Sequence, residues 1–340
     1  MKSILLTSTA LIGFAGAATA GGHTSFGFSG EASAEYNTES GYSTSIEATA
    51  TMSAELDNGL TASAELTFNA DEGEMDEVTS GSITLSGDGA SLTFGTGLDG
   101  AVFTATGDDY LDGIQDGEEG VDGIVGSMDV GAATVTVSMP MTEGMADAST
   151  DDLEIGVTTD VAGFSVGLGI MGSGEYALTG SGTVGGADLS FGMSSEDEWD
   201  VGVDYTIGAV TLSASTDENE DWTVGAAYDG GAYSAGVEYN ADESWEVTAG
   251  YAAGAIAVDA AFDSADVLTL GATYDVGNGL VVGAGIEGAD NDAYAFAEYA
   301  LGAGASAYIE YNGAAAELEE VGPSERDIAA GTTVGVSFEF

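Results

Sequence analysis

Apolar and polar residues alternate along most of the chain. Phe26, Phe28, Ala32, Ala34 and Tyr36 fall on one parity, and Ser25, Ser29, Glu31, Ser33 and Glu35 on the other. A period of two sends successive side chains to opposite faces of an extended chain, so this segment reads as a strand with one apolar and one polar face. The alternation returns as Ile46, Ala48, Ala50, Met52, Ala54 and Leu56 against Glu47, Thr49, Thr51, Ser53 and Glu55. After Asp57-Asn58-Gly59 it resumes with Leu60, Ala62, Ala64, Leu66 and Phe68 against Thr61, Ser63, Glu65, Thr67 and Asn69. Tight turns such as Gly87-Asp88-Gly89, Asp229-Gly230-Gly231 and Gly277-Asn278-Gly279 take turns with longer acidic loops at 71–79, 142–152, 217–221, 288–292 and 312–330. Short connections at one end and long ones at the other are how a transmembrane barrel is strung. Counting alternating segments from Thr24 to Phe340 predicts 22 strands, an even number, as a bacterial barrel with both termini on one side requires.

A repeat sharpens the pattern. Trp199, Trp222 and Trp245 are 23 residues apart, as are Tyr205, Tyr228, Tyr251 and Tyr274. Each unit runs Trp-x-Val-x-(Val/Ala)-x-Tyr, and Leu268-Leu270-Ala272-Tyr274 is a fourth copy with Leu in the Trp position. The two aromatics of a unit stand roughly 20 Å apart along a strand at about 3.4 Å per residue. That is close to the roughly 25 Å apolar band whose rims carry aromatic girdles. These seven aromatics are therefore expected to form girdles facing lipid, one hairpin per repeat. The alternative is a secreted solenoid or sandwich with internal aromatics, but its second face would have to be dry, and here that face carries Glu31, Glu35, Glu47, Glu55 and Glu65. Carboxylates need water, which places these five on the wall of an aqueous lumen.

Charge narrows the function. The 340 residues hold 59 Asp+Glu, 2 Lys+Arg, one His and no Cys, a formal net charge of −57. Nucleic-acid binding needs basic clusters and is excluded. Without Cys there are no disulfides, thiolate metal sites or thiol catalysis. The single His23 leaves no Ser-His-Asp array, so a barrel enzyme is not expected. Lys2, the apolar run Ile4-Leu5-Leu6 to Leu11-Ile12-Gly13-Phe14 and the small-x-small end Ala18-Thr19-Ala20 read as an export signal over 1–20. A single barrel domain then spans 21–340, and Arg326 is its one Lys or Arg.

The chain resembles the Gram-negative general porins, especially the alphaproteobacterial branch. The resemblance rests on the leader, the opening Phe26-Gly27-Phe28-Ser29-Gly30-Glu31-Ala32, the segment Ser91-Leu92-Thr93-Phe94-Gly95-Thr96-Gly97 before a long insert, and the final strand Thr333-Val334-Gly335-Val336-Ser337-Phe338-Glu339-Phe340. It implies an all-β, closed antiparallel transmembrane barrel of 16 strands, against 22 by direct count. It also implies an outer-membrane location, a homotrimer in which loop 71–79 grips a neighbour, and a terminal Phe340 read by the outer-membrane assembly machinery. The insert, 96–121, would fold inward as the constriction loop. There it carries Asp99, Asp108, Asp109, Asp112, Asp116, Glu118, Glu119 and, at its exit, Asp122. Family members oppose such acids with a cluster of Arg on the wall. This chain has none, so its throat is expected to be uniformly negative.

Such a throat attracts cations and repels anions, predicting passive, cation-preferring diffusion of ions and small hydrophilic solutes. No cofactor is required. Ca²⁺ or Mg²⁺ at Glu196-Asp197-Glu198, Asp217-Glu218-Asn219-Glu220-Asp221 or Asp290-Asn291-Asp292 would bridge the loops to lipopolysaccharide phosphates; plain solvation explains these runs equally well. Asp108, Asp112 and Glu119 partly match a Ca²⁺ loop, but Tyr110 fails its third position. Gly95-x-Gly97-x-x-Gly100 copies a dinucleotide fingerprint. That motif needs a following helix, whereas 101–107 reads as irregular, and the acidic surroundings would repel a pyrophosphate. The competing function is an exported, acidic, Ca²⁺-stabilised β-rich adhesin or surface-layer protein.

Overall fold

The computed structural model describes residues 24–56, 59–71, 74–107, 121–141, 152–290, 292–315, 318–321, 323 and 326–340. The first strands are β1 (Thr24–Asn37), β2 (Gly41–Glu55), β3 (Thr61–Asp71), β4 (Glu74–Gly87), β5 (Ala90–Leu98), β6 (Val121–Val130), β7 (Ala133–Pro140) and β8 (Glu154–Val161). Next come β9 (Phe164–Met171), β10 (Tyr176–Val184), β11 (Ala187–Ser194), β12 (Trp199–Ile207), β13 (Val210–Asp217), β14 (Trp222–Asp229), β15 (Tyr233–Asn240) and β16 (Trp245–Ala253). The last are β17 (Ile256–Asp263), β18 (Leu268–Gly277), β19 (Leu280–Glu287), β20 (Asp292–Gly302), β21 (Ala305–Asn312), β22 (Leu318–Val321), β23 (Arg326–Ile328) and β24 (Gly331–Glu339). One short helix, α1 (Ala101–Thr106), follows β5.

Strands β1 to β20 each pair antiparallel with the next, β21 pairs with β24, and β24 returns to β1, closing a 22-stranded sheet. The 22 strands expected from alternation are therefore present, and the 16 implied by resemblance are corrected. With strands about 4.8 Å apart and tilted about 40°, the closed sheet has a radius of about 20 Å. The seam includes the final residue: Gly30 and Phe340 exchange backbone hydrogen bonds of 2.9 Å in both directions. The Phe28 and Phe340 rings stack with centroids 5.5 Å apart. Closure leaves no unpaired edge and excludes the solenoid and open-sandwich alternatives.

The register sorts the side chains. Phe26 lies opposite Met52 and Tyr36 opposite Tyr42, while Glu31 lies opposite Glu47 on the other face. The apolar face is the outside: Tyr42 is 64 % exposed and Tyr228 45 %. Local expectations change: the longer acidic loop expected at 217–221 is a four-residue turn between β13 and β14, closed by the Asp217 N–H on the Asp221 carbonyl. Segment 71–79 is mostly strand, because β3 continues to Asp71 and β4 starts at Glu74; backbone pairing of Ala70 with Met75 overrides the acidic, loop-like composition. Residues 101–106 are helical rather than irregular, their first amides held by side chains of β7 and β8.

Sidedness predicts a sharp asymmetry. Val203, midway along β12 on the outer face, changed to Arg should cost about 2–4 kcal/mol. Ser213→Arg, on the inner face opposite Asp204, should cost little. Urea unfolding in detergent micelles measures both.

Candidate pore lining and constriction

The five predicted wall acids share the inner face of β1 to β3. Glu31 lies opposite Glu47 on one side and Glu339 on the other. Glu35 accepts hydrogen bonds from the Tyr308 hydroxyl (2.9 Å) and Ser43 Oγ (3.1 Å). Glu55 lies opposite Thr61, and Glu65 opposite Thr51 and Ser82. The theme continues around the barrel: Asp188 faces Asp204, Asp200 faces Asp217, Glu246 sits between Glu238 and Asp263, and Glu287 faces Asp292. Like charges directly opposite one another destabilise a sheet. Their recurrence on one face makes a strongly negative wall.

Of the predicted insert acids, Asp99 is exposed between β5 and α1, and Asp122, at the start of β6, accepts the Gly97 N–H at 3.1 Å. Asp108, Asp109, Asp112, Asp116, Glu118 and Glu119, and with them the partial Ca²⁺ loop, lie outside the described residues, as do the leader and His23.

The described part of the insert turns inward. Helix α1 lies against the inner faces of β8 and β9, on a bed of glycines. A side-chain carbon on Gly156 would strike the Ala101 carbonyl, one on Gly167 the Ala105 carbonyl, and one on Gly169 the Val102 side chain. Val102 packs on Ala177, flanked by Phe103 and Met171. Ser138 Oγ accepts the Ala101 N–H (2.8 Å), and Glu154, 1 % exposed, accepts both the Val102 N–H (3.1 Å) and the Ser138 hydroxyl (2.8 Å). These acceptors satisfy the free amides of a helix N-terminus. Thr104 and Thr106 hydroxyls return to the Gly100 and Val102 carbonyls. Gly107, at φ 72°, ends the helix with its N–H on the Phe103 carbonyl. A helix thus does follow the glycine motif. It is six residues long, and the Glu154 carboxylate occupies the place a phosphate would need.

A second element enters from the other side. The segment between β21 and β24, expected to be a plain acidic loop, forms the small hairpin β22–β23. Ile328 is fully buried against Tyr294 and Phe296, with Val281 and Leu318 beside them. Asn312 Nδ2 donates to the Ile328 carbonyl (2.9 Å), and Asn37 Nδ2 donates to the Ala330 carbonyl (2.9 Å) and Thr333 Oγ1 (2.8 Å). The backbone of Arg326 belongs to this hairpin. Strands β9 and β20 are eleven apart in a ring of 22, so α1 and the hairpin rise from opposite walls.

The aromatic residues Trp199, Trp222, Trp245, Tyr205, Tyr228, Tyr251 and Tyr274 share the outer parity of their strands, Trp at one end and Tyr at the other. Trp222 meets the Tyr239 ring, Trp245 the Phe262 ring and Tyr251 the Tyr233 ring at 5.0–5.7 Å. At the Trp end, four turns place Asp197, Glu220, Glu243 and Asp266 in the left-handed region, at φ 62–70°. In one of them the Ser244 hydroxyl and amide hold the Asp242 carboxyl below its ordinary range.

A closed barrel of 22 strands, apolar outside and acidic inside, with a helix folded onto its inner wall, defines an outer-membrane β-barrel of the channel class. The chain matches the Gram-negative porin family over residues 7–317 and belongs to that family; it is an outer-membrane porin. Similar solved structures include two doubly substituted mutants of the Rh. blastica porin. Each is 16 % identical, with 93 % of this chain and 100 % of that chain covered and TM-scores of 0.32 and 0.33. A triple mutant of the Rhodopseudomonas blastica porin is 17 % identical at the same coverage, with a TM-score of 0.32. No curated protein matches the chain.

The glycine bed predicts that Gly156→Val expels α1 from the wall while leaving the barrel closed. Single-channel conductance should change while heat-modifiable migration on SDS gels persists. Glu154→Ala, which strands the Val102 N–H and the Ser138 hydroxyl, should cost about 1–3 kcal/mol, read by urea unfolding.

Proposed function

We propose that this porin forms a water-filled, cation-preferring pore for passive diffusion of ions and small hydrophilic solutes. The observation that carries the reading is the inner wall itself, where carboxylates stand opposite carboxylates across strand after strand. Arg326 is the only Lys or Arg beyond residue 20. Low-dielectric walls focus such a field into the lumen and enrich cations there. The insert acids Asp99, Asp108, Asp109, Asp112, Asp116, Glu118, Glu119 and Asp122 add to it at the throat. Ca²⁺ or Mg²⁺ gathers at the acidic rim, where lipopolysaccharide phosphates supply further oxygen ligands. The chain is exported by residues 1–20, inserted by the assembly machinery through its Phe340 end, and works as a homotrimer.

In a planar bilayer under a KCl gradient the reversal potential should take the sign of K⁺ permeation. An anion-signed potential would refute the proposal. The preference should shrink from 0.1 to 1 M salt as the screening length falls from about 10 to about 3 Å. For the same reason the folded barrel should gain stability with salt, since screening relieves the repulsion between facing carboxylates; thermal unfolding in micelles at rising KCl measures it.

A further inference from the structure

Asp259 on β17, Gly271 on β18, Gly285 on β19 and Tyr294 on β20 lie in one row across four neighbouring strands. Counting parity along each strand puts all four on the inner face. The two glycines leave a trough, about 14 Å from end to end at three inter-strand steps, between a carboxylate and a phenol. Tyr294 leans into it: its hydroxyl sits where a side chain on Gly285 would begin. Glu287, two residues beyond Gly285, points from the same face.

Asp259 Oδ1, Glu287 Oε2 and the Tyr294 hydroxyl are all buried, and none has a hydrogen-bond partner among the described residues. Tyr294 as a whole is only 2 % exposed. The three lie near enough that Asp259 acts electrostatically on Glu287 and both act on the phenol. A buried oxygen without a partner destabilises the fold. A buried polar group left unpaired points to an ordered water or ion. A water could bridge the oxygens but would leave the charges of Asp259 and Glu287 uncompensated.

We propose that Asp259, Glu287 and Tyr294 bind a hard divalent cation, Ca²⁺ or Mg²⁺, in the lumen wall beneath the last loop. Two carboxylate oxygens supply charge and the phenol a neutral third ligand, all of the oxygen type such ions prefer; lumen water completes the shell. Because Ile328 and Leu318 pack around Tyr294 and Phe296, an ion that fixes the phenol also fixes the hairpin. The site goes beyond bulk selectivity, which arises from the whole wall and survives without it.

Equilibrium dialysis of the full chain in micelles, against CaCl₂ and separately MgCl₂ in high KCl, tests the site. Wild type should retain one more ion per chain than the Asp259→Asn/Glu287→Gln variant. Tyr294→Phe should keep the ion but bind it several-fold more weakly. Chelation should speed proteolysis within 313–330 in wild type and leave the double variant unchanged. Heat-modifiable migration checks that each variant is folded, and Asp259→Asn alone replaces the double variant if that one is not. Equal ion counts in folded wild type and variant, for both metals, would overturn the site. A K⁺-signed reversal potential would stand regardless, so the two proposals fail separately.

Discussion

Hydrocarbon offers no hydrogen bonds to a peptide group, and a sheet that crosses a bilayer must therefore consume its own edges. Here that demand is met between residues more than 290 positions apart, where Asn37 stands opposite Thr333 and the backbone of Gly30 meets that of the terminal Phe340. Once the ring is shut, the two-residue period stops being a mere pattern and becomes a partition between oil and water. Tyr36 and Tyr42 have nowhere to go but outward, and Glu31 and Glu47 nowhere but in.

That partition also governs how anything can occupy the lumen. A radius of about 20 Å is wide, and the segments that narrow it need footholds on a wall made of polar side chains. Glycine provides them, by absence. Helix α1 rests its backbone on Gly156 and Gly167, while opposite it the rings of Tyr294 and Phe296 lie over Gly285 and Gly283 and form the floor for Ile328. In both places a missing side chain brings other atoms close to the sheet, a reason for glycine in strands that has nothing to do with turns.

The partition was legible in the sequence; the furniture of the lumen was less so. Alternation counts strands well because a one-residue slip would turn every side chain to the wrong solvent, which is why 22 segments could be read directly. Helix α1 was missed because Ala-Val-Phe-Thr-Ala-Thr carries β-branched and aromatic residues and spans too few positions to show a 3.6-residue period. Its stability comes from tertiary partners, above all Glu154, which in sequence is one more acid on a strand. The inward hairpin did leave a trace. In β20 the aromatic parity changes sides, with Tyr294 and Phe296 on even positions and Tyr299 on an odd one, so one strand carries apolar residues on both faces. An apolar pair on the water side needs a cover, and Leu318 and Ile328 supply it.

The acids raise a sharper question, because several sit where they weaken the fold. Carboxylates face carboxylates across the ladder, and Asp197, Glu220, Glu243 and Asp266 hold a backbone conformation that costs a side-chain-bearing residue roughly 1–2 kcal/mol relative to glycine. Glycine is plentiful in this chain, at 54 residues, and fills the same conformation at many other turns. Its absence from four successive turns at one rim is thus a preference for charge at that rim over ease of folding. The wall and the mouth share one logic: negative potential is maintained where it destabilises the barrel, and mobile cations from solution offset the repulsion. On the proposed cation-preferring reading, the counter-ions that relieve this repulsion are drawn to the same places where the pore offers them a path.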